Sequence, residues 1–418
     1  MVLVSGQEES KRHTATAGTV QSQANGSCAH GLSSKSGKKS RNALSFTARF
    51  LLLNTRNLAA LPREQKEGGG FLISNTSPSF SDLQRPLSNL IHAKFGMTHV
   101  MALRGVFCRE EQVFLTTGAQ QGMSLLARLL LDFQGTVLVE ETIYSGVLQA
   151  VESLQPKLLT VPTDPKTGMD VDAVTSLLEG QSRPSFIYAI SDGHNPLGVS
   201  LSLEKRRRLV DLANHYHVPI LEDDAYGLLY YDDGFLPPMR ALDEELVFYL
   251  GSFSKILAPA LRVGWIIIPE TLTPALSALK EGSDINTATF SQRSIAAYLD
   301  TGQLPDHLIK LRHEYRTRRD TMLRALQIHF PPGALWYKPR NGMFIWVEIP
   351  GEVDMGEVLR VAVEKEQVAF VPGHAFRVGG SRHAAHCMRL NFSNCSAERI
   401  EYGIAQLARI IGSLSFPS

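Results

Sequence analysis

The sequence predicts an α/β protein built on a mainly parallel sheet covered on both faces. Between residues 113 and 268 seven short apolar runs alternate with turns and amphipathic stretches, and the residues with chemical potential fall just after those runs. Runs apolar at nearly every position suit strands buried on both sides, the condition of a parallel sheet packed between helices. In such sheets a ligand sits beyond the carboxyl ends of the strands.

Taken in order, residues 1–45 are rich in Ser, Gly, Gln, Lys and Thr without apolar period, and 1–66 as a whole read as a disordered or irregular segment. Val2-Leu3-Val4 is too short for the apolar core of a secretory signal. A helix is expected over 46–61 and a chain break at Gly68-Gly69-Gly70. The large α/β domain is expected over 67–285, with strands at 113–117, 137–140, 158–162, 186–190, 218–221, 247–250 and 263–268. Its clearest helices are 119–131, with Met123, Leu126, Leu129 and Leu130 at helical spacing, and 202–217. From about residue 286 the pattern changes to a long charged helix (307–329), strands at 335–337 and 343–349, a helix at 355–365, strands at 368–371 and 388–392, and a last helix at 397–411. This predicts a smaller α+β domain over 286–418.

Composition narrows the function. With 42 Lys and Arg against 41 Asp and Glu, the net charge of +1 supplies no basic field for nucleic acid and no polybasic membrane anchor. No apolar run approaches a membrane span. The four cysteines (Cys28, Cys108, Cys387, Cys395) form no C-x-x-C pair, which argues against a disulfide framework or a structural zinc site. His383, His386 and Cys387 cluster, but without a matching second cluster the stretch reads as an exposed loop. A small-molecule partner and a reducing, cytoplasmic compartment are the expectation.

One stretch organises the chemistry. The apolar run 246–250 delivers Gly251-Ser252-Phe253-Ser254-Lys255, with Arg262 seven positions on. A lysine at the end of a buried strand, desolvated and near cations, loses pKa and becomes a nucleophile for carbonyl carbon. Lys255 is therefore a Schiff-base candidate. Gly118-Ala119-Gln120-Gln121-Gly122 opens a helix whose free N–H groups can hold a phosphate, and Ser252, Ser254 and Arg262 add hydroxyls and a guanidinium. Three acids, Glu222-Asp223-Asp224, end another strand, where a carboxylate can keep a heteroaromatic nitrogen protonated. Tyr226 can reach a phenolic oxygen, Asn195 supplies an amide donor, and Tyr144 can stack on a flat ring. A phosphate, a protonated ring nitrogen, a phenolic oxygen and an aldehyde trapped by lysine together describe pyridoxal 5′-phosphate.

These motifs, in order and over the chain from about residue 112 to the C-terminus, resemble the fold-type I pyridoxal-phosphate enzymes of the class I/II aminotransferases, closest to the 2-aminoadipate/kynurenine branch. The resemblance implies a seven-stranded sheet in a three-layer large domain with a smaller C-terminal domain. It implies that Lys255 holds the cofactor and moves protons, and that Ser252, Ser254, Arg262, Ala119 and Gln120 hold phosphate. Asp223 rather than its neighbours would pair with the ring nitrogen, Tyr226 and Asn195 would hold the phenolic oxygen, Tyr144 would stack, and Arg389 would clamp the substrate carboxylate. The implied substrates are an L-amino acid and a 2-oxo acid, and the implied assembly is a homodimer. The sequence departs from the family pattern at Leu197, where a threonine is usual, at Ser191, where a proline is usual, and before residue 112, where only 76–80 and 86–90 stand for the arm that covers the substrate. Two other readings share these motifs: a related enzyme of elimination, cyclisation or decarboxylation, and a transcription regulator with an aminotransferase-like domain, for which 1–66 lack a helix-turn-helix pattern.

Overall fold

Backbone pairing joins the seven apolar runs into one sheet. The computed structural model, which describes residues 2–3, 93–232, 234–380 and 384–415, contains β1 (Val113–Thr116), β2 (Thr136–Glu140), β3 (Lys157–Val161), β4 (Phe186–Ala189), β5 (Ile220–Asp223), β6 (Val247–Ser252) and β7 (Gly264–Ile267). Their order across the sheet is β1-β7-β6-β5-β4-β2-β3. Strands β2 to β6 are mutually parallel, while β7 is antiparallel to both β6 and β1. The mainly parallel α/β sheet is as expected.

Burial explains why these runs are apolar throughout. β4, β5, β6 and β7 are buried at every position, because successive side chains serve opposite layers. Along one face of β6 the core changes: Val247 lies in the cluster of Ile220, Ile187 and Leu209, and Tyr249, two residues on, in that of Val113, Trp265 and Met101. The covering helices are α1 (Ala93–Ala102), α2 (Gly118–Leu130), α3 (Ser145–Val151), α4 (Val171–Glu179), α5 (Leu203–Tyr216) and α6 (Thr273–Asp284). Local chemistry sets their ends: the Asp170 carboxylate accepts from the N–H groups of Asp172 and Ala173 to open α4, and Ser202 Oγ accepts from Lys205 N to open α5. His217, in the left-handed conformation, closes α5.

Beyond them lie α7 (Thr289–Asp300), α8 (Leu304–His329), β8 (Leu335–Trp336), β9 (Phe344–Glu348), α9 (Met355–Glu366), β10 (Val371–Pro372), β11 (Cys387–Asn391) and α10 (Ala397–Ser415). The four strands form an antiparallel sheet in the order β8-β9-β11-β10, with α8 and α10 packed together beside it. No helix among the described residues is long and apolar enough to cross a membrane.

Three expectations shift. The strand expected at 218–221 begins at Ile220, because Val218 N closes α5 on Ala213 O and Pro219 has no N–H for a ladder. The run 368–371 serves two partners and breaks: Val368 and Ala369 pair with Leu3 and Val2, Val371 and Pro372 with Arg389 and Met388. Cys387, expected in an exposed loop, is buried as the first residue of β11. The helix over 46–61, the break at 68–70, the segments 76–80 and 86–90, Cys28 and His383 lie outside the described residues.

The loop after β4 is tied to the antiparallel sheet by a close backbone approach. Gly198 has φ +72°, and a Cβ there would lie 2.3 Å from the carbonyl oxygen of Phe344. Gly198→Ala should therefore add left-handed strain to an unavoidable clash, a loss of about 2–5 kcal/mol. Urea unfolding of the two proteins measures it, and a loss below about 1 kcal/mol would show that the loop moves freely off β9.

Candidate active site

The strand register brings the phosphate-type residues to one level. Thr116 of β1 and Ser252 of β6 both lie opposite Gly264 of β7, so the turn into α2, the turn after β6 and the segment before β7 meet. Gly118 has φ +76°, and a Cβ on it would lie 2.4 Å from Nη2 of Arg262. The guanidinium thus lies directly against the first turn of α2, where the N–H groups of Ala119 and Gln120 have no intrahelical acceptor. Arg262 Nη1 makes a long contact of 3.5 Å with Ser254 Oγ, and Ser252 Oγ accepts from Ser254 N at 3.1 Å. Hydroxyls, guanidinium and helix N-terminus form one anion cradle.

The three acids at the end of β5 divide by strand parity. Glu222 accepts from the N–H groups of Met239 and Arg240, both at 2.8 Å, and Asp224 from Arg104 Nε at 2.8 Å and the Tyr249 hydroxyl at 2.9 Å. Asp223 points to the other side of the strand. Its Oδ2 accepts from the Tyr188 hydroxyl at 2.7 Å, while the buried Oδ1 has no hydrogen-bond partner among the described residues. Burial pushes the Asp223 carboxyl up to about 6; Asp224 adds to the rise, and the Tyr188 hydrogen bond and His194 oppose it.

Across the cleft, Asn195 Oδ1 accepts from Arg389 Nη1 at 2.7 Å. That bond orients the amide, leaving the Asn195 nitrogen as a donor. The Arg389 guanidinium carbon lies 4.3 Å from the Phe344 ring centre and 4.9 Å from that of Phe376. Its buried Nε lacks a partner among the described residues, and burial holds its pKa below the ordinary arginine value. Tyr226, buried, meets Phe344 edge to face at 5.6 Å. Tyr144 caps α3 at the end of the β2 loop, and its hydroxyl pKa is raised by burial and by Asp223. Gln120 Nε2 donates to Gly146 O beside it at 2.7 Å.

Lys255 is partly buried between these groups. Burial lowers its pKa first, then the charges of Arg389 and Arg262. Both arginines thus act on the Lys255 amine. Ten of the eleven candidate residues lie at or just beyond the strand ends on the carboxyl edge of the sheet, and Arg389 reaches them from β11 through Asn195.

Sequence reasoning missed the supporting groups. Tyr188 lies inside an apolar strand run, Phe344 and Phe376 lie in stretches (341–346 and 372–376) that resemble segments of the family's small domain without a role for either ring, and His194, bonded to Glu140 at 3.0 Å, reads as part of a turn. Only the period-two alternation of β4 and β5 offered a signal, by putting Tyr188 and Asp223 on one face.

The chemistry of the site matches pyridoxal 5′-phosphate. The orphaned Asp223 oxygen suits a protonated ring nitrogen, the anion cradle suits the phosphate, and the depressed amine of Lys255 suits the aldehyde.

Residues 86–407 match the family model of aminotransferase class I and II. The chain is 38% identical over 304 residues to aromatic-amino-acid aminotransferase 1 of Thermococcus litoralis, covering 72% of each chain. Among solved structures, the kynurenine aminotransferase of Pyrococcus horikoshii in complex with PMP matches with a TM-score of 0.71 at 31% identity, over 88% of this chain and 86% of that one. The alpha-aminoadipate aminotransferase of Thermus thermophilus, complexed with N-(5′-phosphopyridoxyl)-L-leucine, matches with a TM-score of 0.71 at 30% identity over 88% of each. The anion cradle, the depressed lysine and the unpaired carboxylate oxygen thus stand in a chain that belongs to the class I and II aminotransferases, and the protein is a fold-type I, pyridoxal-phosphate-dependent aminotransferase near the aminoadipate, kynurenine and aromatic branch.

Proposed function

We propose that the enzyme moves the amino group of an L-amino acid of the 2-aminoadipate, aromatic or branched-chain type to a 2-oxo acid, 2-oxoglutarate being the acceptor. One observation carries this reading: Arg389, braced by Asn195 and two aromatic rings, keeps an unpartnered Nε in a partly buried cleft beside Lys255. A guanidinium held this way is suited to a planar carboxylate, which both substrates carry on Cα. Aromatic donors are favoured by the Phe344 and Phe376 rings that line the same arginine.

Pyridoxal 5′-phosphate, when bound, supplies an aldehyde for amines and a ring that accepts the electrons left when the Cα proton departs. Lys255 Nζ, with its pKa depressed, would hold that aldehyde, and its amine, when free, would take the proton from the substrate Cα. Asp223 Oδ1 holds the ring nitrogen proton, with Tyr188 fixing the carboxylate. The Asn195 amide and the Tyr226 hydroxyl donate to the phenolic oxygen, and Tyr144 covers the ring. Ala119, Gln120, Ser252, Ser254 and Arg262 hold the phosphate.

The same reading puts the domain boundary near residue 285, places the enzyme in the cytoplasm and makes it a homodimer. Sedimentation should give a dimer, and a monomer that transaminates at full rate would overturn it.

Arg389→Ala should leave the cofactor bound and reduce kcat/KM for every donor, aminoadipate, aromatic or branched-chain, with 2-oxoglutarate. Removing one member of a desolvated charge pair costs about 2–5 kcal/mol, roughly thirtyfold to several thousandfold. Arg389→Lys should recover part of this, because an ammonium keeps the charge without the planar fork. Turnover within about threefold of wild type would remove the clamp.

A pH profile tests Asp223. Its carboxyl is raised to about 6 in the free protein, and binding a ring N–H requires the ionised form. Cofactor affinity should therefore be constant above that pH and weaken by up to about tenfold per unit as pH falls below it. Asp223→Asn should bind more weakly and lose this break, and an unchanged profile would refute the assignment.

A further inference from the structure

Arg104 belongs to none of the motifs that form the site, yet it is fully buried at the centre of the molecule. It follows α1 and reaches two carboxylates: Nε donates to Asp224 Oδ2 and Nη2 to Asp192 Oδ2, both at 2.8 Å, while Nη1 donates to Leu236 O at 3.1 Å. Asp192 is also held by Arg206, through Nη2 to Oδ1 at 2.8 Å and Nη1 to Oδ2 at 3.1 Å. Two cations and two anions close into a buried cluster of zero net charge. Both acids are near neighbours of the site in the chain: Asp224 follows Asp223, and Asp192 precedes Asn195 by three residues.

Space for the guanidinium is built in. A Cβ on Gly227, the residue after Tyr226, would lie 2.4 Å from Arg104 Cζ and 2.2 Å from Asp224 Oδ1. The turn that presents Tyr226 to the cleft therefore also admits Arg104 beneath it.

We propose that Arg104 is a positioning residue for the reaction: by neutralising Asp224 it keeps Asp223 charged toward the cofactor ring, and by bridging Asp192 to Asp224 it sets the Asn195 loop against the end of β5. This rests on the reading of Asp223 as the partner of the ring nitrogen. The groups that face Asp223 are Tyr188 of β4, His194 of the following loop, the adjacent Asp224, and the hydroxyls of Tyr144 and Tyr226. Of the charges among them, Asp224 is the one that opposes ionisation. Asp224 in turn meets Arg104, Tyr249 of β6 and the adjacent Glu222. Arg104 is thus the cation in direct contact with the charge that would otherwise hold a proton on Asp223.

The signs are distinct for each variant. Without Arg104 the field of Asp224 acts unopposed, so Asp223 binds its proton more tightly and its midpoint rises. Without the charge of Asp224 the retained Arg104 favours ionised Asp223, and the midpoint falls. Removing both returns it toward the wild-type value.

The full chain, stripped of cofactor and titrated with pyridoxal 5′-phosphate across a pH series, reads this as the pH below which the dissociation constant climbs. Arg104→Met should move that break upward by about one unit and weaken binding about tenfold at a pH between the two midpoints. Asp224→Asn should move it down, and Arg104→Met/Asp224→Asn should restore it. A folded Arg104→Met with the wild-type break, or a double variant that keeps the upward shift, overturns the proposal. Should Arg104→Met fail to fold, an unmoved break in Asp224→Asn overturns it equally. Asp223→Asn separates the two readings: a break that persists there removes the role of Asp223 itself, whereas its loss there with no shift in the other variants removes only that of Arg104.

Discussion

A carboxylate shielded from water beside two further acids is the constraint on which the rest of this structure depends. Asp223 is buried on the innermost strands of the sheet, and burial by itself drives a carboxyl toward its neutral form. Its surroundings are built against that tendency. Tyr188 donates to one oxygen, and the neighbouring acids are bonded elsewhere, Glu222 by backbone N–H groups and Asp224 by Arg104. The other Asp223 oxygen has no hydrogen-bond partner among the described residues.

The same logic in reverse governs the cations. Lys255 lies between Arg389 and Arg262, so each arginine that holds an anion also disfavours charge on the lysine. A lysine with lowered pKa is more often in the free-base form that can attack a carbonyl carbon or take a proton from carbon. The arginines are prevented from drifting to it by firm contacts: Asn195 and two aromatic rings for Arg389, the glycine-opened turn of α2 for Arg262. Anion binding and amine activation are one electrostatic arrangement.

The antiparallel sheet contributes more than a lid. β9 and β11 bring Phe344 and Arg389 over the carboxyl edge, and the close approach of Gly198 to the Phe344 carbonyl fixes the Asn195 loop to them. A further contact joins the Tyr144 loop to the same sheet, where Ile143 N donates to Phe376 O at 2.8 Å and Arg377 pairs with Glu141 at 3.0 Å. Tyr144 and Arg389 are thereby held in one frame.

Much of this was determined by the sequence itself. Apolar runs of four to six residues bounded by Gly, Asn and acidic clusters can be buried on both faces only in a sheet between helices, so the α/β class and the active edge were legible from β1 to β7. The residue types at the strand ends, Lys255 after two serines, Arg262, Asn195 and Arg389, were legible because each has a chemistry that few other ligands demand. What the tertiary structure decided is which atoms of those residues are free. Three acids in a row are equivalent in sequence, and only the pairing of β4 with β5 and the arrival of Arg104 from before β1 give Asp224 to Arg104 and Tyr249 and set Asp223 on the side of Tyr188. Phe344 and Phe376 stand in stretches that resemble the family's small domain, but their role at Arg389 emerges only where β9 and the segment after β10 converge. Such facts depend on contacts between residues far apart in the chain, and local pattern records the type of a side chain but not the partner that long-range packing assigns to it.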